Sequence, residues 1–124
     1  IATPAYSGLS ASYTYALFAG QQALLQSGIQ ADLEIFTENC HVDDGRNVLV
    51  RDFLETDCEQ MLFLGADLRW NPSELIRLIQ YDEDVVAGIY PLKEENESYP
   101  VKMIKGEIWS RNGLIQVEAV PTGF

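Results

Sequence analysis

Apolar residues along the chain alternate between short continuous runs and sets spaced three or four apart, the pattern of strands alternating with helices. Ile1-Ala2-Thr3-Pro4 reads as the end of a strand that stops at a proline, because Pro4 has no N–H for a ladder and biases Thr3 toward extended geometry. After Ser7-Gly8, Leu9, Tyr13, Leu17 and Leu24 recur at helical spacing with Gly20 on the same face. This predicts a long helix that is weakest at Gly20 and capped at Gly28. Leu33 to Thr37 is rich in strand formers, and the polar Glu38-Asn39 ends that strand. Asp43-Asp44 then opens a second helix carrying Val48, Leu49, Phe53 and Leu54 and ending near Thr56-Asp57.

Met61-Leu62-Phe63-Leu64 is apolar throughout, as expected of a parallel strand covered on both faces. Asn71-Pro72-Ser73-Glu74 supplies an N-cap, a proline at the first helical position and a glutamate three past the cap, ahead of Leu75, Ile76 and Ile79. Asp84 to Tyr90 predicts a fourth strand. The expected architecture is therefore one domain over residues 1–124, an open, mostly parallel, doubly wound α/β sheet. The last third changes character. Leu92 to Pro100 is a charged surface loop, followed by Val101 to Ile104, and Ile108-Trp109 and Leu114 to Val120 flank Asn112-Gly113, the signal of a β-hairpin near the C-terminus.

Charge narrows the partners. Nineteen acidic against eight basic residues give a net charge of -11, which opposes nucleic acid, since every phosphate contact must overcome the repulsive field. A small phosphorylated ligand stays open if local cations, backbone N–H groups or a divalent metal reverse the field in a cleft. No apolar stretch reaches the length of a membrane span and no leader pattern opens the chain, so a soluble, cytoplasmic protein is expected. Cys40 and Cys58 make no metal-ligand pattern and fit a reducing compartment, and His41 reads as plain surface.

In open α/β sheets ligands bind beyond the carboxyl ends of the strands, so Thr3 to Tyr6, Thr37 to Asn39, Ala66-Asp67 and Tyr90-Pro91 are the positions to inspect. Asp67 directly follows an apolar strand, where a carboxylate could share a hard cation with a diphosphate; from spacing alone, capping the turn before Trp70-Asn71-Pro72 is the commoner role. Asn47 and Arg51 lie four apart on one helix face and Arg46 sits in the first turn, where free N–H groups favour anions. These three either hold a phosphate or form a solvated face paired with Asp43, Asp44 or Asp52. Tyr6 is either a stacking surface for a base or a half-buried packing residue. There is no G-x-G-x-x-G after the first strand, no P-loop and no G-x-S-x-G elbow, which sets aside dinucleotide dehydrogenases, P-loop NTPases and α/β-hydrolases.

Read in order, Thr3-Pro4-Ala5-Tyr6, Gly45 to Leu54, Met61 to Pro72, Asp84 to Pro91 and Val120-Pro121-Thr122-Gly123-Phe124 together resemble small bacterial and phage glycosyltransferases of the GT-A fold, near the family 2 type. The resemblance implies transfer of a sugar from a nucleoside diphosphate sugar to an acceptor hydroxyl with Mn²⁺ or Mg²⁺. It places Asp67 at the second, metal-binding position of an Asp-x-Asp motif, with Gly65 where the first carboxylate would stand. It also implies that Thr3, Pro4, Ala5 and Tyr6 line the base and ribose pocket, that Glu38 lies near the base, and that Arg46, Asn47 and Arg51 serve the nucleotide. In that family the catalytic base and acceptor site follow the Thr-Gly-Phe segment, so the fold is expected to continue past Phe124, and no catalytic base is assigned. An open terminal strand edge would favour a homodimer. The alternatives are a catalytically silent donor-binding portion and a protein-interaction α/β module that uses its acidic surface and the Ile108 to Val120 hairpin.

Overall fold

The structure is a computed structural model that describes residues 1–37, 41–81, 83–92, 94–106 and 108–120. Its first part is α/β. Strand β1 (Ala2–Ala5) pairs in parallel with β2 (Glu34–Thr37), Thr3 opposite Ile35 and Pro4 opposite Phe36. On its other side β1 meets the 61–64 segment through one parallel bridge between Ala2 and Phe63, where Ala2 N donates to Leu62 O at 2.8 Å and Leu64 N to Ala2 O at 3.0 Å. β1 is thus central, and both neighbours run in its direction.

Helix α1 (Ala11–Gln26) links β1 to β2, and its ends follow from local chemistry. Ser10 Oγ accepts from Tyr13 N at 3.0 Å as the N-cap. At the other end Ile29 N donates to Leu24 O and Gly28 N to Leu25 O, with Gly28 at φ 74°, a Schellman closure that uses the glycine predicted to cap it. Helix α2 (Val42–Phe53) starts just ahead of Asp43-Asp44. Helix α3 (Pro72–Ile79) carries the full capping box, Ser73 N to Asn71 Oδ1 at 3.1 Å and Asn71 N to Glu74 Oε2 at 3.0 Å.

Successive strand residues face opposite sides, and β1 shows where each helix lies. Thr3 is fully buried and its hydroxyl bonds Tyr13 of α1, whereas Pro4 faces Gly45 of α2. α1 and α2 therefore cover opposite faces of β1. The core sits on the α1 side, where Tyr13, Ala16, Leu24, Leu64, Trp70 and Leu75 pack together, with Tyr13 edge-on to Trp70 at 5.3 Å between ring centroids. Gly20 is more than a weak point in α1. A Cβ there would lie 3.0 Å from Leu75 Cδ2 and 3.3 Å from Trp70 Nε1, so its bareness lets α1 and α3 close on each other.

The remaining strands are short. β4 (Ser110–Arg111) and β5 (Leu114–Ile115) form the predicted hairpin around Asn112 (φ 53°) and Gly113 (φ 81°), the two left-handed residues of a type I′ turn. β3 (Lys102–Met103) pairs antiparallel with β6 (Val117–Ala119). Tyr81 Oη donates to Asn112 O at 3.3 Å and accepts from Arg77 Nε at 2.8 Å, which docks the turn on the end of α3.

Two expectations need correction. Met61–Leu64 contributes one bridge and not a full strand, and residues 84–90 form no strand. A strand persists only on a ladder, and no strand among the described residues pairs with 84–90. Of the open, mostly parallel, doubly wound sheet, what is present is a parallel pair with a bridged neighbour and small antiparallel sheets. No helix among the described residues is long and apolar enough to cross a membrane.

Candidate functional site

Because β1, β2 and the Phe63 bridge run in parallel, their carboxyl ends reach one edge, and a cleft of ≈ 540 Å³ opens there. The loop after β1, from Pro4 to Ser10, forms one wall; the first turn of α2 forms another; Gly65-Ala66-Asp67 forms the third. Ser10 N donates to Ala66 O at 3.1 Å and ties the first wall to the third. Gly45 lets the second wall come close, since a Cβ on it would sit 3.2 Å from the Phe36 ring and 3.8 Å from Pro4 Cβ.

The cleft gathers Pro4, Ala5, Tyr6, Arg46 and Asp67 from three separate stretches of sequence. Tyr6 is 70% exposed, so its ring is offered to the cleft and does not pack in the core. Arg46 is half-buried, its guanidinium carbon 5.7 Å from the Phe63 ring centroid, a cation–π contact that holds the charge at the cleft wall. Asp67 lies within the turn closed by Leu68 N to Gly65 O at 3.0 Å and is exposed toward the cleft. The cap of α3 itself is Asn71.

Other candidates lie elsewhere. Thr3 is buried on the α1 side of β1 and bonds Tyr13, so it does not line the cleft. Burial raises the Tyr13 phenol above its ordinary value, partly offset by the Thr3 hydroxyl. Asn47 is exposed outside the cleft. Arg51 is exposed too, donating from Nε to Asp52 Oδ1 at 2.7 Å, the solvated-face pairing weighed against phosphate binding. Glu38 lies outside the described residues. His41, read as plain surface, is the N-cap residue of α2 and lines the cleft, as do Ser7, Gly8 and Ser10. The position before Val42 was the one signal for His41, obscured because Asp43 and Asp44 looked like the better caps.

The α2 N-terminus adds free N–H groups and the positive end of a helix dipole at this edge. Asp43 and Asp44 in its first turn offset part of that field, though neither lines the cleft. For a divalent cation, Asp67 is the one carboxylate on the cleft lining among the described residues, and no group of three or more His, Cys, Asp or Glu side chains comes together among them. That donor set does not make a cage. It fits a hard cation held by one carboxylate together with ligand phosphates and water, the usual manner of Mg²⁺.

A Cβ on Gly65 would stand 3.4 Å from Asp67 Oδ1 in ordinary contact, so a side chain at 65 would lie beside that carboxylate. Compared with known proteins, the chain matches no family model, no curated protein and no solved structure.

Proposed function

We propose that this chain binds a nucleoside diphosphate sugar in the cleft at the ends of β1 and β2, as the donor-binding part of a metal-dependent glycosyltransferase of GT-A type. The observation that carries the reading is the convergence of an exposed aromatic ring (Tyr6), a cation (Arg46) and a carboxylate (Asp67) on one cleft at the carboxyl edge of parallel strands. Tyr6 offers its face to the base, while Arg46 and the first N–H groups of α2 attract the diphosphate. Asp67 would hold the Mn²⁺ or Mg²⁺, which when bound offsets the charge that grows on the leaving diphosphate. The acceptor and the general base are not assigned to any residue of the chain. The exposed Cys58 thiol suits a reducing, cytoplasmic setting.

Melting in the presence of uridine diphosphate and Mn²⁺ tests the reading: a ligand held by the folded state alone raises the melting temperature. Release of nucleoside diphosphate from a panel of donors then separates an enzyme from a silent binder. Gly65→Asp gives a further handle, since a second carboxylate beside Asp67 is expected to tighten Mn²⁺ binding; no gain would count against Asp67 as a ligand. A second reading, a protein-interaction module, draws on the exposed Ile108, Trp109 and Ile115 around the hairpin. It predicts a flat melting response to nucleotide and metal.

A further inference from the structure

Helix α1 is apolar on both sides. Its inner face, with Tyr13, Ala16, Gly20 and Leu24, is buried in the core. The opposite face carries Tyr15, Phe18 and Leu25, which with Gln22 follow a three-four-three spacing and so form one continuous stripe. These side chains are 70%, 74% and 63% exposed. A surface helix normally shows a polar outer face, and a helix apolar all round is one that is covered on both sides.

We infer that the outer face of α1 is the contact between two copies of this chain, packed α1 against α1 about a two-fold axis. Charge selects this occupant. Residues 1–31 contain no Asp, Glu, Lys or Arg, so all the side-chain charge behind the net -11 begins at Asp32. Two copies meeting through α1 thus bring together helices that themselves carry no carboxylate, whereas contact through the acidic remainder sets like charges against each other. A cationic partner would be drawn to the acidic surface and not to α1. A membrane surface is disfavoured as well, since interfacial helices carry Lys or Arg on their polar face and anionic headgroups repel a chain of this charge.

The size of the patch sets the strength. Two aromatics and a leucine at these exposures offer on the order of 400 Å² per copy, against ~800 Å² per partner in a standard interface. The dimer is therefore weak and depends on concentration, and it does not rest on the donor-binding reading of the cleft.

Sedimentation equilibrium of the full 124-residue chain over a wide concentration range tests this. The mass is expected to rise from 13.9 kDa toward twice that value, and to do so more readily as salt screens the mutual repulsion of the two copies. Phe18→Glu is expected to return the chain to monomer at every concentration while Ile115→Glu, on the hairpin, leaves association unchanged. Leu25→Gln serves as a milder second variant, expected to weaken association, with circular dichroism confirming that each variant is folded. A monomer at all concentrations and salts would overturn the inference. So would a dimer that salt dissolves, or one lost with Ile115→Glu and kept with Phe18→Glu.

Discussion

The stretch up to α3 and the stretch after it are built on different principles. Among the described residues every buried side chain lies between Ala2 and Leu75, and none after Leu75 is buried. The earlier stretch folds helices onto a parallel pair and shares one core; the later one is held by a turn, short ladders and contacts such as Tyr81 to Asn112. Val85, Ile89, Ile108, Trp109 and Ile115 are as apolar as the core residues and yet exposed. Apolar sequence alone does not bury a segment; it needs a facing surface, which α1 and α2 supply to β1 on its two faces, whereas residues 84–90 are covered only in part, with Val85 and Ile89 left exposed.

The contrast can be broken most forcefully by cutting side chains on each side of it. Leu64→Ala empties a fully buried site and is expected to cost about 2–5 kcal/mol in urea unfolding. Ile115→Ala, half exposed, should stay within about 0.5 kcal/mol. Equal losses would mean that the two stretches share a single core. Next in size, Gly113→Ala forces a side chain into left-handed geometry at φ 81°, at about 1–2 kcal/mol. The chain has two tryptophans, Trp70 in the core and Trp109 beside the hairpin, so single-tryptophan variants report each stretch separately. Gly113→Ala should lower the midpoint seen by Trp109 and leave that seen by Trp70 in place. Removing the α3 cap with Asn71→Ala, at about 1 kcal/mol, should do the reverse.

One pH effect is expected from the core. Burial raises the Tyr13 phenol, so its contribution to stability is complete below the unfolded value of about 10 and is lost as pH rises through the folded value. Tyr13→Phe should flatten the alkaline decline while losing the Thr3 bond. Smallest is Glu34→Gln. Desolvation first, then the neighbouring Asp52, raises the Glu34 carboxyl, so its charged form opposes folding above the acid range. The substitution should stabilise slightly at neutral pH, by less than about 0.5 kcal/mol given its exposure, and the gain should vanish in acid.

What the sequence revealed was whatever carries its own local satisfaction. Asn71 to Glu74 closes its own hydrogen bonds, Gly28 its own helix end, and Asn112-Gly113 its own turn, and each is where the pattern put it. Met61–Leu64 and 84–90 depend on partners far along the chain, and there the strand propensity of the residues was not enough. The site divides in the same way. Proximity to strand ends brought Arg46 and Asp67 to one cleft, but Thr3 differs from Pro4 only by which face of β1 it points to, and that depends on where α1 packs. Arg51 shares a helix with Arg46 and still faces solvent, because five residues along a helix turn the side chain well away from the cleft.

Calorimetric titration of uridine diphosphate into the wild-type chain and into Asp67→Ala, with and without Mn²⁺, reaches the central claim most directly. Asp67 is exposed, so its loss should leave the fold intact. Mn²⁺ is expected to strengthen binding in the wild type, and binding by the variant is expected to lose its metal dependence. No binding by the wild type, or the same metal dependence in both, would contradict it.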